Sequence, residues 1–287
     1  MKTLLIGCGY VGLPLALSLQ QKGHDVTGWV HSAESAAALA GYPFHRIIAG
    51  SVADNEVWDS LGENYDFVIH CASSGRGNES AYEQVFLKGA LMMKTHQPHA
   101  RKLFVSSTSV YGQAEGEIVT EESAAEPHTA TSRILRVAEK VAVGFGATVV
   151  RSTGIYGPNR GVLFAKLRRG EAVIEGDGLR WINQIHQRDL VAALEHLIEV
   201  GALGKIYNAT DDTPVTYRDY YAWCSEFLGQ PMPPFGPVNT ERKRGLTNKR
   251  VSNARLRATG WEPVYPSFRE GLAADHKEPP PYGGGYD

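Results

Sequence analysis

Cysteine is scarce in this sequence, and the three that occur, Cys8, Cys71 and Cys224, are odd in number and lack the spacing of a pair. Such a pattern supports neither a disulfide framework nor a zinc site, so we expect no metal centre. Low cysteine usage of this kind is typical of a reducing compartment, which predicts a cytoplasmic protein. We also expect no leader peptide, because the apolar stretch before Cys8 is too short for a signal sequence.

Long apolar runs and an excess of one charge are also lacking. No stretch approaches the length of a membrane span, and 29 Lys and Arg against 31 Asp and Glu leave a formal net charge of −2. The basic residues form no stripe, and the short run at 242–244 predicts only a solvated surface. We therefore expect neither nucleic acid nor membrane as a partner. The 43% hydrophobic content is typical of a globular protein with a sizeable core.

Glycine, in contrast, stands where chemistry would need it. An apolar run at 4–6 leads into Gly7-x-Gly9-x-x-Gly12, which is followed by a helical segment and a second apolar run at 26–30. In a strand–turn–helix context, the first glycine permits a tight turn, the second lets a pyrophosphate approach the backbone, and the third lets the helix pack close to the sheet. The helix start would then hold the phosphates. This stretch predicts a dinucleotide site, and a glycine turn needed only for packing is the alternative.

The rest of the chain alternates apolar runs with helical patterns, which predicts an α/β fold built on a doubly wound parallel sheet. We expect helices over 80–95, 189–200 and 217–228, with Ser80 and Asp189 as the caps of the first two. The predicted strands of the sheet lie at 4–6, 26–30, 44–48, 66–71, 102–105, 148–151 and 205–208. The predicted organisation is a dinucleotide-binding domain over 1–157 with 181–210, a small C-terminal substrate lobe over 158–180 with 211–274, and a flexible tail over 275–287.

Several motifs together give the chain a family likeness that covers nearly its whole length. It resembles the extended short-chain dehydrogenase/reductase superfamily, in the nucleotide-sugar epimerase/dehydratase branch. That resemblance implies a Rossmann-like fold and an NAD(P) cofactor. Besides the glycine turn, the motifs are Asp66-Phe-Val-Ile-His-Cys-Ala72, Ser106-Ser107-x-x-Val110-Tyr111-Gly112, Arg151-x-x-Gly154-Ile-Tyr-Gly-Pro158, Ile185-His186-x-x-Asp189 and Ile206-Tyr-Asn208.

The chain departs from the family pattern in two places, and the larger departure is in catalysis. The first glycines are spaced G-x-G-x-x-G, whereas the family usually has G-x-x-G-x-x-G. More importantly, the family's Tyr-x-x-x-Lys should follow Pro127, and that register places Thr129 where Tyr is expected and Arg133 where Lys is expected. The chain therefore resembles an atypical subgroup with an altered catalytic pair. A threonine hydroxyl does not ionise usefully near neutral pH, whereas Arg133 retains a positive charge and hydrogen-bond donors for the nicotinamide ribose.

The remaining catalytic candidates come from the strand ends. The resemblance assigns the family's catalytic serine to Ser107, which would hydrogen-bond the substrate oxygen, with Thr108 beside it. Tyr111 and Tyr156 are the phenols that lie on motifs at the same sheet edge, and a structural role is favoured for both. His186 is a candidate acid by residue type, although its motif position favours a structural role.

Cofactor choice depends on the end of the second strand. An NAD enzyme places an acid there, but this chain has Val30-His31-Ser32, which favours NADP over NAD, with Arg46 as a further candidate for the 2′-phosphate. We therefore expect contacts to the cofactor from Gly7, Gly9, Tyr10, Val11, Gly12, His31, Ser32, Cys71, Ala72, Ser73, Ser106 and Arg133.

Three functions stay open at this point. The first is an oxidoreductase or epimerase-like enzyme acting on a small polar, sugar-like or nucleotide-sugar substrate. The others are a cofactor-binding sensor without turnover and a nonredox isomerase or lyase in the same pocket. The resemblance also makes a homodimer through the helices over 80–95 and 131–145 a reasonable assembly; the alternative is that the apolar faces of these helices belong to the core. Candidate contacts to an anionic substrate group are Arg76, Arg160, Arg168 and Arg180.

Overall fold

A computed structural model describes residues 1–62, 64–75, 77–239 and 247–277. Strands and helices alternate along most of these ranges, as predicted. In chain order the strands are β1 (Lys2–Ile6), β2 (Asp25–Val30), β3 (Arg46–Ala49), β4 (Phe67–His70), β5 (Arg101–Ser107), β6 (Glu117–Val119), β7 (Thr148–Ser152), β8 (Gly154–Tyr156), β9 (Ile174–Glu175), β10 (Trp181–Ile182), β11 (Gln184–His186), β12 (Ile206–Ala209), β13 (Val215–Thr216), β14 (Phe235–Gly236) and β15 (Lys249–Val251).

The helices bury apolar side chains at helical spacing; α6, for example, buries Leu135, Ala138 and Ala142. In chain order the helices are α1 (Gly12–Gln21), α2 (Ala33–Ala38), α3 (Asn55–Asp59), α4 (Glu79–Tyr82), α5 (Gly89–His96), α6 (Ala130–Gly144), α7 (Val162–Arg168), α8 (Gln187–Glu199), α9 (Tyr217–Leu228), α10 (Ala254–Arg257) and α11 (Phe268–Lys277). A π-helical segment, Glu83–Lys88, joins α4 to α5, and a short 3₁₀ turn, Thr108–Val110, follows β5.

Seven strands form the central sheet in the order β12-β7-β5-β4-β1-β2-β3, which confirms the predicted doubly wound, Rossmann-like α/β fold. β1 pairs in parallel with both β2 and β4, so that Ile6 lies opposite Trp29 on one side and His70 on the other. The chain winds outward from β1 to β3 and then returns to β4. Ligands of such sheets bind outside the carboxyl ends of the strands at this point of reversal. The residues that follow Ile6 and His70 therefore define the candidate site.

Contacts between Cα atoms divide the chain into two compact units. The first comprises Met1–Val110, Ala125–Arg151 and Val191–Tyr207, and the second comprises Tyr111–Ala124, Ser152–Leu190 and the described residues from Asn208 onward. This division assigns 111–124 and 152–157 to the second unit, whereas the sequence analysis assigned them to the dinucleotide-binding domain. The predicted domain boundaries stay a prediction.

The second unit has its own hydrophobic core, in which Tyr220 and Cys224 of α9 pack with Phe268 and Leu272 of α11. Its short strands pair as β8 with β11, β6 with β15, β9 with β14 and β10 with β13. Helix α9 has the predicted bounds, whereas α11 was not predicted. Residues 275–277 of the predicted tail belong to α11, and 278–287 lie outside the described residues, as does the basic run at 242–244.

Two predicted helix caps are wrong. Asn78, not Ser80, caps the start of α4, because the Asn78 side-chain oxygen accepts a hydrogen bond from the Ala81 N–H at 3.1 Å. Asp189 lies within the first turn of α8, and its carboxylate accepts hydrogen bonds from the backbone N–H groups of Val264 and Tyr265 at 2.7 and 3.1 Å. Asn78 and Ser80 are both suitable cap residues two positions apart, so the first error is one of local choice. The second has a tertiary cause, because backbone donors distant in the chain occupy the Asp189 carboxylate.

Candidate dinucleotide site

The glycine turn has the geometry that its spacing predicts. Gly7 adopts a φ of +91°, and its N–H donates to the Trp29 carbonyl at 2.8 Å. A Cβ added at Gly7 would lie 2.4 Å from the backbone of Ala72, and one at Gly12 would lie 2.0 Å from the Gly7 carbonyl oxygen. A Cβ at Gly9 would meet no described atom within 4 Å. Packing therefore requires Gly7 and Gly12, whereas at Gly9 it leaves open space.

Helix α1 begins beside that space. Val11 is its N-cap, and no side chain among the described residues caps it; its first turn also carries no acidic residue. The first turn is closed only by backbone bonds such as Leu13 N–H to the Gly9 carbonyl at 2.9 Å. The positive end of the helix dipole is therefore left for an external anion, as at the pyrophosphate of a dinucleotide.

The loop after β4 forms the opposite wall of the turn. The Cys71 N–H continues the ladder to the Ile6 carbonyl at 2.8 Å, Ala72 touches Gly7, and the Ser73 hydroxyl accepts from the Gly75 N–H at 3.1 Å. Burial raises the pKa of the Cys8 thiol to about 12 and also raises that of the Cys71 thiol. Neither thiol is suited to act as a nucleophile. The loop contributes backbone and small side chains to the site.

At the end of β2, the predicted 2′-phosphate contacts are only partly available. Ser32 caps α2, because its hydroxyl oxygen accepts from the Ser35 N–H at 3.2 Å. The Arg46 guanidinium is engaged elsewhere and donates to the carbonyls of Leu61 and Ser60 at 3.3 and 3.1 Å. His31 is exposed. Any preference for NADP therefore depends on His31 and Ser32 rather than on an arginine.

The serines at the end of β5 have different environments. The buried Ser106 hydroxyl donates to a carboxylate oxygen of Glu139 at 2.6 Å. Half-buried Ser107 accepts from the Ser109 N–H at 3.1 Å, which leaves its own hydroxyl proton for another acceptor. Thr108 is buried in the 3₁₀ turn. Of these residues, Ser107 best suits a substrate contact.

The role of Glu139 could not be seen from the sequence. Its side chain is 0% exposed and lies against the guanidinium of Arg151, itself 1% exposed, with N–O distances of 3.0 and 2.7 Å. Arg136 adds a third donor at 3.1 Å. This buried ion pair ties α6 to β5 and β7. The motif residue Arg151 was visible in the sequence, but its partner on the helix carried no separate signal.

The start of α6 holds the replaced catalytic pair. Thr129 is the N-cap: its hydroxyl oxygen accepts from the Ser132 N–H at 3.3 Å and its hydroxyl donates to the Ser132 side chain at 2.9 Å. Arg133 is exposed, and its Nε donates to the Pro127 carbonyl at 3.2 Å. Thr129 is thus occupied as a helix cap, and a charged guanidinium remains at the surface one turn later.

The remaining phenol and imidazole candidates have structural partners in the second unit. Tyr111 is 0% exposed and donates to the Asn208 side chain at 2.9 Å. Tyr156 donates to the Ser267 carbonyl at 3.4 Å, and burial raises its pKa. His186 is buried, with its Nε2 3.3 Å from a carboxylate oxygen of Asp275. These contacts favour structural roles for all three, and we do not retain Tyr111 as an acid or base.

Of the four arginines predicted to bind an anionic substrate group, Arg160, Arg168 and Arg180 lie among the described residues. Arg180 lies 3.6 Å from the Glu175 carboxylate and 4.8 Å from the centre of the Tyr217 ring. Arg160 and Arg168 are exposed, and Arg76 lies outside the described residues.

Lys249 is a buried cation that the sequence analysis missed. Its ammonium donates to the Tyr111 carbonyl at 3.1 Å and to the Thr247 hydroxyl at 2.6 Å. Burial lowers its pKa from 10.5 to about 8. Its position in a basic, polar stretch of sequence gave no sign of burial.

No helix in the described ranges has the length and hydropathy that a membrane span requires. The same ranges hold no group of three or more His, Cys, Asp or Glu side chains placed to bind a metal ion.

Comparison with known proteins places these observations in context. A model of the NAD dependent epimerase/dehydratase family matches residues 4–210. The chain is similar to Protein YeeZ of Escherichia coli (strain K12), with 28% identity over 279 residues that cover 92% of this chain and 96% of YeeZ.

Solved structures show the same fold at lower identity. A dTDP-glucose 4,6-dehydratase from Bacillus anthracis, in complex with NAD, superposes with a TM-score of 0.78 at 18% identity, covering 95% of this chain and 94% of that one. A UDP-glucuronic acid 4-epimerase from Bacillus cereus, in complex with UDP-glucuronic acid and NAD, gives 0.78 at 17% identity and covers 96% and 98%. At this identity the likeness concerns the fold alone.

Proposed function

Because this chain belongs to the NAD-dependent epimerase/dehydratase family, we propose that it is a dinucleotide-dependent enzyme acting on a sugar-like or nucleotide-sugar substrate. The observation that carries the proposal is the space at Gly9. A Cβ added there would meet no described atom within 4 Å, and the position lies beside the uncapped start of α1, where the sheet reverses its winding. Packing does not require a glycine at this position, whereas the close approach of a pyrophosphate would.

The residues present fit a dinucleotide, which would supply hydride acceptance or donation when bound. Gly7, Gly9 and Gly12 with the backbone of Tyr10 and Val11 would hold the pyrophosphate. Residues 71–73 would line the opposite wall, and the backbone of Ser106 would lie along the strand end. His31 and Ser32, in place of an acid, favour NADP over NAD.

On the substrate, we assign the central role to Ser107. Its hydroxyl proton is available for a hydrogen bond to a substrate oxygen, and such a bond stabilises charge that develops there in the transition state. Thr108 would support the 3₁₀ turn that holds this serine in place. Arg133 would contribute positive charge beside the cofactor ribose but would not transfer a proton.

One observation favours a second function, a cofactor-binding sensor without turnover. The residue in the expected tyrosine position, Thr129, is used as a helix cap, and the phenols of Tyr111 and Tyr156 have buried structural partners. The retained candidates therefore lack a side chain that titrates near neutral pH, which general acid–base catalysis needs. A nonredox isomerase or lyase in the same pocket meets the same difficulty.

Calorimetric titration with NADPH and NADH tests the cofactor site. We expect the wild type to bind, NADPH more tightly than NADH, and Gly9→Asp to lose binding because its carboxylate would fill the space and repel the phosphates. Gly41→Asp is the matched control: it adds the same charge at another exposed glycine where a Cβ meets no atom within 4 Å. Absence of binding in the wild type, or equal loss in the control, would contradict the proposal.

A substrate screen then separates enzyme from sensor. Absorbance of the reduced cofactor is followed while carbonyl and alcohol compounds, including nucleotide sugars, are added. An enzyme changes the absorbance with at least one compound, and Ser107→Ala reduces that rate. A sensor binds the cofactor and leaves its redox state unchanged with every compound.

The proposed assembly is a homodimer. The helices expected to pair in a homodimer expose Leu91, Val137 and Val143, each more than two-fifths exposed. Light scattering after size exclusion would give the mass of the particle, and a mass near 31 kDa would contradict a dimer.

The proposed compartment is the cytoplasm, and the low cysteine usage is the observation that supports it.

A further inference from the structure

A buried histidine lies directly behind the wall of the glycine turn. His70 ends β4, is 0% exposed, and is followed by Cys71 and Ala72. Its ring Nε2 lies 3.0 Å from the carbonyl oxygen of Val85, in the π-helical segment between α4 and α5. Because the carbonyl is an acceptor, Nε2 carries the proton and Nδ1 is the bare nitrogen of a neutral ring.

The π-helical segment Glu83–Lys88 and the glycine that follows it leave room for the His70 ring. A π turn spaces its hydrogen bonds five residues apart and is often found at functional sites. Gly89, the residue after the π-helical segment, admits the imidazole, since a Cβ there would lie 2.8 Å from the His70 Nε2. Phe86 and Phe104 flank the ring, with centroids 6.2 and 5.0 Å away. The Nδ1 atom has no hydrogen-bond partner among the described residues, so Val85 holds the ring by one bond.

We propose that His70 is a positioning residue for the cofactor, holding residues 71–73 against Gly7 through its hydrogen bond to the π-helical segment. The inference rests on the proposed dinucleotide site. The chain of contacts is short: Val85 holds the imidazole, the imidazole fixes the end of β4, and Ala72, two residues later, touches the backbone of Gly7. Burial lowers the pKa of His70 to about 4, so the ring stays neutral and keeps its Nε2 proton at physiological pH.

The test compares two substitutions of His70 in the full chain. His70→Gln places an amide N–H near the position of Nε2 and keeps the bond to Val85, whereas His70→Met keeps comparable bulk without a donor. Losing one buried hydrogen bond that orders the wall should raise the NADPH dissociation constant about tenfold in His70→Met. His70→Gln should stay within about threefold of the wild type.

A destabilised control separates positioning from general loss of stability. Leu197 lies on α8, is 0% exposed and is not one of the proposed site residues. Leu197→Ala therefore removes buried bulk away from the site. We expect it to lower the unfolding midpoint while leaving NADPH affinity unchanged. Equal weakening of affinity in Leu197→Ala and His70→Met, or unchanged affinity in His70→Met, would overturn the inference.

Hydrogen exchange gives a readout that does not need the cofactor. Amides of residues 71–73 should exchange faster in His70→Met than in Leu197→Ala, and no difference between the two overturns the inference. If the wild type binds neither NADPH nor NADH, the proposed function fails and exchange alone decides the positioning role. If His70→Met does not fold, Gly89→Ala replaces it, because its Cβ would lie 2.8 Å from the His70 Nε2 and would displace the ring from Val85.

Discussion

The buried ring of His70 gives a quantitative prediction about acid stability, because it takes up a proton at a different pH in the folded and the unfolded chain. Burial lowers the pKa of His70 from 6.5 to about 4. As the pH falls through 6.5, the unfolded chain takes up a proton on this ring while the folded chain stays neutral. The free energy of unfolding therefore falls with pH until the folded ring also titrates near pH 4. The difference between the two pKa values corresponds to a loss of about 3 kcal/mol in the free energy of unfolding.

Urea unfolding followed by circular dichroism, at several values between pH 7 and pH 4, measures this loss. The perturbation is His70→Gln, which removes the titrating group and keeps a donor for Val85. The other nine histidines and the carboxylates titrate in both proteins and cancel in the difference. We expect the wild type to lose about 3 kcal/mol more stability than the variant by pH 4.

The shape of that difference is as informative as its size. It should be flat above pH 7, grow between pH 6.5 and pH 4, and level off below. A difference that is constant across the whole range would refute the reasoning, because it would mean that His70 has the same pKa in the folded and unfolded chains. A change in stability at pH 7 alone reports only the packing of the substituted side chain.

Three further predictions concern stability, each measured by chemical unfolding. Gly12→Ala should cost about 3 kcal/mol, because its Cβ would lie 2.0 Å from a backbone oxygen, whereas Gly9→Ala should change stability by less than about 0.5 kcal/mol. Glu139→Ala should cost about 3–5 kcal/mol, since it removes the buried carboxylate that faces the buried Arg151 guanidinium, and replacing both by apolar residues should cost less. The free energy of unfolding of the wild type should rise between pH 8 and pH 10.5, because over this range the Lys249 ammonium is protonated mainly in the unfolded chain. Lys249→Met should abolish that rise. The first expectation is contradicted if Gly12→Ala and Gly9→Ala lower the free energy of unfolding equally. The second is contradicted if the costs of the two single substitutions at the ion pair add in the double variant, and the third if Lys249→Met still gains stability between pH 8 and pH 10.5.

The sequence determined the scaffold of the site. A strand, a glycine turn and a helix are specified by neighbouring residues, so the turn at Gly7, the space at Gly9 and the close packing at Gly12 followed from spacing alone. The alternation of apolar runs with helical patterns gave the doubly wound sheet for the same reason. Helix α9 was also predicted with its observed bounds, since its apolar positions recur at helical spacing.

Partners distant in the chain were decided only by the tertiary structure. The sequence could not show that the Ser106 hydroxyl donates to Glu139 or that the Asp189 carboxylate accepts from the backbone at 264–265. Nor could it show that the Arg46 guanidinium donates to backbone carbonyls after α3. Each of these side chains has several chemically suitable partners, and the fold selects one by bringing it within hydrogen-bond distance. The buried ring of His70 is such a case: its motif is local, but its acceptor, fifteen residues later, depends on a π turn that no periodicity predicts.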